Sequence, residues 1–451
     1  MPENRSKPDG RKIRIAVARV KATSPNPKPD PILWLAGGPG GTALATANLI
    51  VHAGLNADRD IVFIDQRGTL HADPRLSCPE IDAFQRDAVG LAPTDPATGQ
   101  KDIAATRACR DRLAAKGYDL TAYNTHENAA DIADLRLALG IREWNVYGVS
   151  YGTDLAQQLL RDHPQGVRSL VLDSAVPNTV NVIEGFWSNA AEGFRALLDG
   201  CAAQPPCALA YPNLGADLTT VVKRLTEQPL TVDVNDPSTN ESTKVVLDGF
   251  QLANLIVVAS LVPGSIARVP AFVHAIALGN GTLAATALLR TVSPPDIVGY
   301  GLAYGVFCRE SIAFTSSQRT QAVARQALPD FPAPVLALVP QSAHLFGDCA
   351  AWNVGKADAF VFKPAHSSAP VLILAGTFDA VTPPSWADVA ARSLTNSRVL
   401  RFPGAGHDVI IWSPQCAPAI MVSFLDRPQG GYDTSCLNTV SVPAFQVGVA
   451  S

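Results

Sequence analysis

The chain has 451 residues, 47% of them hydrophobic and 17% charged, with a formal net charge of −4. That length and apolar content suffice for a sizeable buried core and allow about two or three domains. The nearly balanced charge, without a basic run or basic-aromatic interleaving, offers nucleic acid nothing to bind, and no run reaches the roughly 18 apolar residues of a membrane span.

In chain order, apolar runs at 13–20, 32–36, 61–64, 144–147 and 169–173 predict strands. Helices fall between them, notably 125–139, where Ala129, Ile132, Ala133, Leu135 and Leu139 recur at helical spacing. This alternation predicts an α/β architecture, a mostly parallel central sheet with helices on both faces. Residues 24–31 and 236–242 read as turns or surface loops. From about 178 to 369 the chain is rich in alanine, leucine and proline with no convincing strand series, and reads as a large, mainly helical cap inserted between core strands. Strands resume at 370–376 and 398–402, followed by terminal helices. The expected organisation is a core of 1–177 and 370–451 interrupted by a cap of 178–369.

Gly148-Val149-Ser150-Tyr151-Gly152 directly follows the strand at 144–147 and directly precedes the helix-like run 153–160. A strand turning sharply into a helix holds a serine in a strained conformation with its hydroxyl presented outward, tolerable only with small neighbours two residues away on either side. A nucleophilic serine needs a base, an orienting acid and an oxyanion hole. Asp379 lies just past the strand at 370–376, and His407 lies in the glycine-rich turn after the strand at 398–402. The order Ser150, Asp379, His407 is that of α/β-hydrolases. Asp173, at the end of the strand at 169–173, competes with Asp379 as the acid but is equally explained as a cap. The run 37–41, Gly-Gly-Pro-Gly-Gly, lets backbone N–H groups approach a carbonyl, and lacks the Gly-Lys-Ser/Thr ending of a phosphate loop. The Gly38 and Tyr151 amides are the expected oxyanion hole.

Eight cysteines, none at Cys-x-x-Cys spacing, favour disulfides and an oxidising compartment over metal or thioredoxin-type sites, with scattered buried thiols as the alternative. Pairing sequence neighbours gives Cys78–Cys109, Cys201–Cys207, Cys308–Cys349 and Cys416–Cys436, one of many connectivities that eight cysteines allow. Met1 opens directly onto polar Pro2-Glu3-Asn4-Arg5-Ser6-Lys7. A secreted or periplasmic protein whose signal peptide has been removed is the expectation, a cytoplasmic one the alternative.

These motifs, with the start Pro2-Glu3-Asn4-Arg5, the run 12–18, Asp65-Gln66-Arg67-Gly68 and Gly404-Ala405-Gly406-His407, carry a resemblance over nearly the whole length. The chain resembles the α/β-hydrolases of the proline iminopeptidase and tripeptidyl aminopeptidase group, particularly secreted bacterial members with a TAP-like C-terminal segment. The resemblance implies the α/β-hydrolase fold and a serine exopeptidase releasing N-terminal residues or short peptides, with no metal or organic cofactor. It strengthens the pairing of Cys416 with Cys436, and it implies an acid that anchors the substrate's free amine. Glu310 is the candidate, on a loop that Cys308 would tether through Cys349; a structural salt bridge to a nearby arginine is the alternative. Phe186, Trp187, Tyr300, Tyr304 and Phe307 are candidates to line the pocket or simply to fill core. The ending Gly40-Gly41-Thr42-Ala43 departs from the group's usual Gly-Gly-Ser-Gly type. That leaves a carboxylesterase, lactonase or small-amide hydrolase as the alternative activity, and a non-catalytic binding module as a further one.

Overall fold

The structure, a computed structural model, describes residues 1–237 and 239–448. Its strands are β1 (Val17–Val20), β2 (Ile32–Leu35), β3 (Ile61–Ile64), β4 (Trp144–Val149), β5 (Val167–Asp173), β6 (Leu230–Asn235), β7 (Ser242–Leu247), β8 (Val371–Gly376) and β9 (Ser397–Phe402). Seven of them form one sheet in the order β1-β3-β2-β4-β5-β8-β9. Only β1 runs antiparallel to its neighbour; the remaining pairs are parallel. This is the α/β-hydrolase fold.

The near-continuous apolar character of the central strands follows from burial on both faces. Along β2, Leu33 and Leu35 face the cluster that includes Leu155 and Ile132, while Ile32 and Trp34 face the cluster that includes Ile420 and Phe424. Helices Thr125–Ala138 and Tyr151–Asp162 therefore cover one face and helix Cys416–Asp426 the other. Strand order reverses between β3-β2 and β4, so the loops after β2 and β4 diverge and open a crevice at their C-terminal ends. Both the 37–41 loop and Ser150 lie there.

Two expectations need correction. The first strand starts at Val17 rather than at residue 13, because its ladder with β3 covers only Val17–Val20; Arg14 instead bridges to Asp73. The insertion between β5 and β8 is not without strands. β6 and β7 form an antiparallel hairpin whose Val245 and Leu247 are buried. It packs on helix Thr282–Leu289 through the Gly281 corner, where a Cβ would press on Leu230, Val232 and Leu247.

The four disulfides are Cys78–Cys109, Cys201–Cys207, Cys308–Cys349 and Cys416–Cys436. Among the described residues, no helix is long and apolar enough to cross a membrane.

Candidate active site

Strand β4 ends at Val149, and Ser150 adopts φ 55° and ψ −125° before helix Tyr151–Asp162 begins. A side-chain-bearing residue held there costs about 1–3 kcal/mol, so the surroundings must enforce it. They do so by close backbone approach. A Cβ at Gly148 would collide with the Gly152 carbonyl, and one at Gly152 with the Leu35 carbonyl. The Ser150 N–H donates to the Asp173 carbonyl at 3.0 Å. Thr153 Oγ1 donates to the Ser150 carbonyl at 2.6 Å and accepts the Val176 N–H at 2.7 Å.

Asp379 is fully buried after β8. Its Oδ1 accepts the Val381 and Thr382 N–H groups, both at 2.8 Å. Its Oδ2 accepts the Thr382 hydroxyl at 2.8 Å and lies 2.9 Å from His407 Nδ1. A carboxylate with both oxygens accepting takes the Nδ1 proton as a donor, which leaves Nε2 as the unprotonated ring atom of the neutral histidine. Burial works to lower the His407 pKa, but the charges of Asp379, Asp408 and Asp173 outweigh it and hold the imidazole above its ordinary value. The insertion reaches into this arrangement: the Ser260 carbonyl accepts the His407 N–H at 2.7 Å, and Ser260 Oγ accepts the Ala380 N–H at 3.4 Å.

Ser150 and His407 line one cavity of about 420 Å3, together with Gly38 and Tyr151. Tyr151 opens its helix, where the first amides have no intrahelical acceptor, and Gly38 sits at φ 117° with a Cβ position 2.9 Å from the Gly40 and Gly41 nitrogens. Thr42, at the departure from the group's glycine pattern, donates to Asp65 Oδ1 at 2.8 Å, so that residue fastens the loop. Arg67 is buried and donates to Asp131 at 2.9 and 2.8 Å, so Asp65-Gln66-Arg67-Gly68 is scaffold around the site.

Glu310 also lines the cavity. Among the described residues no arginine salt bridge holds it, although the Arg309 charge acts on it; it accepts the Thr125 N–H at 2.8 Å and the Thr125 hydroxyl at 2.6 Å, and burial pushes its carboxyl up to about 7. A second acid, Asp154, lines the same space, and burial reinforced by the Glu310 charge pushes it up to about 8. Sequence reasoning missed Asp154. The signal was present: it lies four residues after Ser150 and so on the same helix face. Phe186 and Phe307 line the cavity, whereas Trp187, Tyr300 and Tyr304 turn away, donating to the Leu338 carbonyl, contacting Asp82 and contacting Thr106.

Asp173, the alternative acid, does not reach the imidazole. Its carboxylate accepts the Val409 and Ile410 N–H groups behind it.

The sheet order and the strand-elbow-helix turn define the class of fold: the chain has the α/β-hydrolase fold, and residues 30–242 match the model for the alpha/beta hydrolase fold. Within that class, residues 336–436 match the model for TAP-like proteins. It is 32% identical over 191 residues to a tripeptidyl aminopeptidase of Streptomyces coelicolor, covering 39% of this chain and 34% of that one. It is 27% identical over 239 residues to the serine protease Hip1 of Mycobacterium bovis, covering 49% and 43%. A probable proline iminopeptidase of Streptomyces coelicolor is 27% identical over 253 residues, covering 54% and 59%. The chain thus spans between a third and three fifths of the length of these relatives.

Proposed function

We propose that this chain is a serine hydrolase working through an acyl-enzyme, and that its substrates are short peptides with a free amino end. In this reading Ser150 Oγ attacks the carbonyl carbon while His407 Nε2 takes its proton. Asp379 fixes the Nδ1–H tautomer and stabilises the imidazolium, and the Gly38 and Tyr151 amides hold the developing oxyanion. The imidazolium then protonates the leaving amine, and water releases the acyl group by the same steps reversed. One observation carries the reading: the histidine oriented by Asp379 and the strained Ser150 line the same cavity.

The exopeptidase part rests on Glu310 and Asp154. Two buried acids whose carboxyls burial holds above the usual range, both lining the cavity, are suited to pair with a substrate ammonium, which discriminates against blocked amines. The relatives named as aminopeptidases point the same way. The insertion 178–369 acts as the cap, since Phe186 and Phe307 wall the cavity from it. Four disulfides fit an oxidising compartment, hence a secreted or periplasmic enzyme.

The test is Ser150→Ala. It should abolish both turnover and covalent labelling by an organophosphonate while the circular dichroism spectrum is unchanged. Retained turnover removes the nucleophile assignment. Equal kcat/KM on aminoacyl-arylamides and their N-acetylated forms removes the exopeptidase assignment and leaves an esterase or amidase.

A further inference from the structure

Asp173, the last residue of β5, is held on both sides of the site at once. Its carbonyl accepts the Ser150 N–H at 3.0 Å, which ties it to the elbow. Its fully buried carboxylate faces the segment that follows His407. Oδ1 accepts the Val409 N–H at 2.7 Å, and Oδ2 accepts the Ile410 N–H at 3.0 Å and the Tyr147 hydroxyl at 2.9 Å. The next residue completes the clamp. Ser174, at φ 55°, accepts the Asp408 N–H on its hydroxyl at 2.8 Å and donates its own N–H to the Leu374 carbonyl of β8 at 2.9 Å. Three successive amides after His407 are therefore captured by two residues at the end of one strand. Asp408 itself takes a left-handed conformation, φ 68°, so the segment bends sharply there before the short helix Val409–Trp412, whose first amides have no intrahelical acceptor and need one from outside.

We propose that Asp173 is a positioning residue that sets the separation of nucleophile and base: its main chain fixes the position of Ser150, and its side chain fixes the loop carrying His407. This rests on the reading of Ser150 and His407 as nucleophile and base. Asp379 supplies the tautomer and the charge, while Asp173 supplies the register, without touching the ring. The geometry explains why a second acid at the adjacent strand end is buried rather than spare: a carboxylate offers acceptors on two oxygens, and four donors converge on it, the Val409 and Ile410 amides and the Tyr147 and Ser174 hydroxyls. A misplacement of about 1 Å between reacting groups costs about a hundredfold in rate, so the requirement is kinetic as well as structural.

Asp173→Asn keeps the volume but turns one acceptor into a donor facing the Ile410 N–H and the Tyr147 hydroxyl. The folded variant should lose about 10- to 100-fold in kcat on an ester substrate with KM within about threefold. Phosphonate labelling of Ser150 should slow by the same factor. The acidic limb of the pH profile should move modestly to lower pH, because the Asp173 charge is the last of several that raise the imidazole and Asp379 still contacts the ring. Ser174→Ala, which removes the acceptor for the Asp408 N–H and the hydroxyl that donates to Asp173 Oδ1 at 3.2 Å, serves where Asp173→Asn fails to fold, with a smaller kcat loss at unchanged KM. An unchanged kcat in the folded Asp173→Asn protein, or in Ser174→Ala where that protein does not fold, overturns the proposal. So does an active Asp379→Asn enzyme beside a dead Asp173→Asn one, which makes Asp173 the triad acid. Failure of the unsubstituted protein to be labelled at all overturns instead the reading on which the proposal rests.

Discussion

Glu310→Gln separates the chemistry of the site from its recognition of a charged amine. Burial raises the Glu310 carboxyl from 4.5 to about 7. Ionising it there is therefore harder than in water by about 3 kcal/mol. A substrate ammonium placed against the carboxylate recovers part of that, and a hydrogen bond to a charged group is worth about 1.5–3 kcal/mol, or roughly 10- to 150-fold. Glutamine preserves the shape and an acceptor for Thr125 but cannot carry the charge. The expected result is a loss of that size in kcat/KM on an aminoacyl-arylamide, with the N-acetylated arylamide or a simple acyl ester changed by less than about threefold. Stability supplies an independent reading. A carboxyl whose folded pKa is raised contributes stability that is complete below its unfolded pKa and is lost as pH rises through the folded one. The variant should therefore melt with the unsubstituted protein near pH 4 and above it at pH 8, by up to about 3 kcal/mol. An equal loss on free and blocked substrates, or no loss on either, refutes the assignment of Glu310 to the amine.

Three further outcomes follow from the same geometry. The base must be unprotonated to act, and despite burial the charges of Asp379, Asp408 and Asp173 hold His407 above the ordinary histidine value, so kcat/KM on an uncharged ester should fall on acidification with a midpoint above that of a free histidine; a midpoint below it contradicts the arrangement. Gly37→Ala places a Cβ 2.8 Å from Ser150 Cβ, and should depress phosphonate labelling at least about tenfold while the melting temperature moves little; unaltered labelling counts against the closeness of that loop to the nucleophile. Opening Cys308–Cys349 with a Cys308→Ser, Cys349→Ser double change frees a closure of 41 residues, with an expected destabilisation of up to about 4 kcal/mol in chemical denaturation. Because Cys308 lies on the same short helical segment as Glu310, KM on free-amine substrates should rise more than kcat falls, and a pure kcat effect speaks against it.

Local chemistry was the legible part of this protein. The strands β2, β3, β4 and β8 are recognisable because a strand buried on both faces needs an unbroken apolar run, and the elbow is recognisable because its two glycines answer a collision that any larger residue meets. Where a side chain points across the molecule was not legible. Phe186 and Trp187 are consecutive on one helix, so one faces the cavity and the other is turned into the core by its bond to the Leu338 carbonyl. The β6-β7 hairpin escaped notice because its strands alternate, with Asp233, Lys244 and other exposed residues diluting the apolar signal. Asp154 was overlooked since a carboxylate early in a helix is ordinarily a solvated partner of the macrodipole, and only the overlying insertion turns that position into an enclosed one. The role of Asp173 depends on backbone amides more than two hundred residues away, a relation that no spacing rule encodes.

The hydrogen bond from the His407 amide to the Ser260 carbonyl has a consequence for how such proteins can diversify. Under the proposed reading the 178–369 segment is not an interchangeable hat, since grafting a foreign one would take away the Ser260 carbonyl that accepts the His407 N–H. Exchanging that insertion on the same reading therefore calls for exchanging the histidine turn along with it.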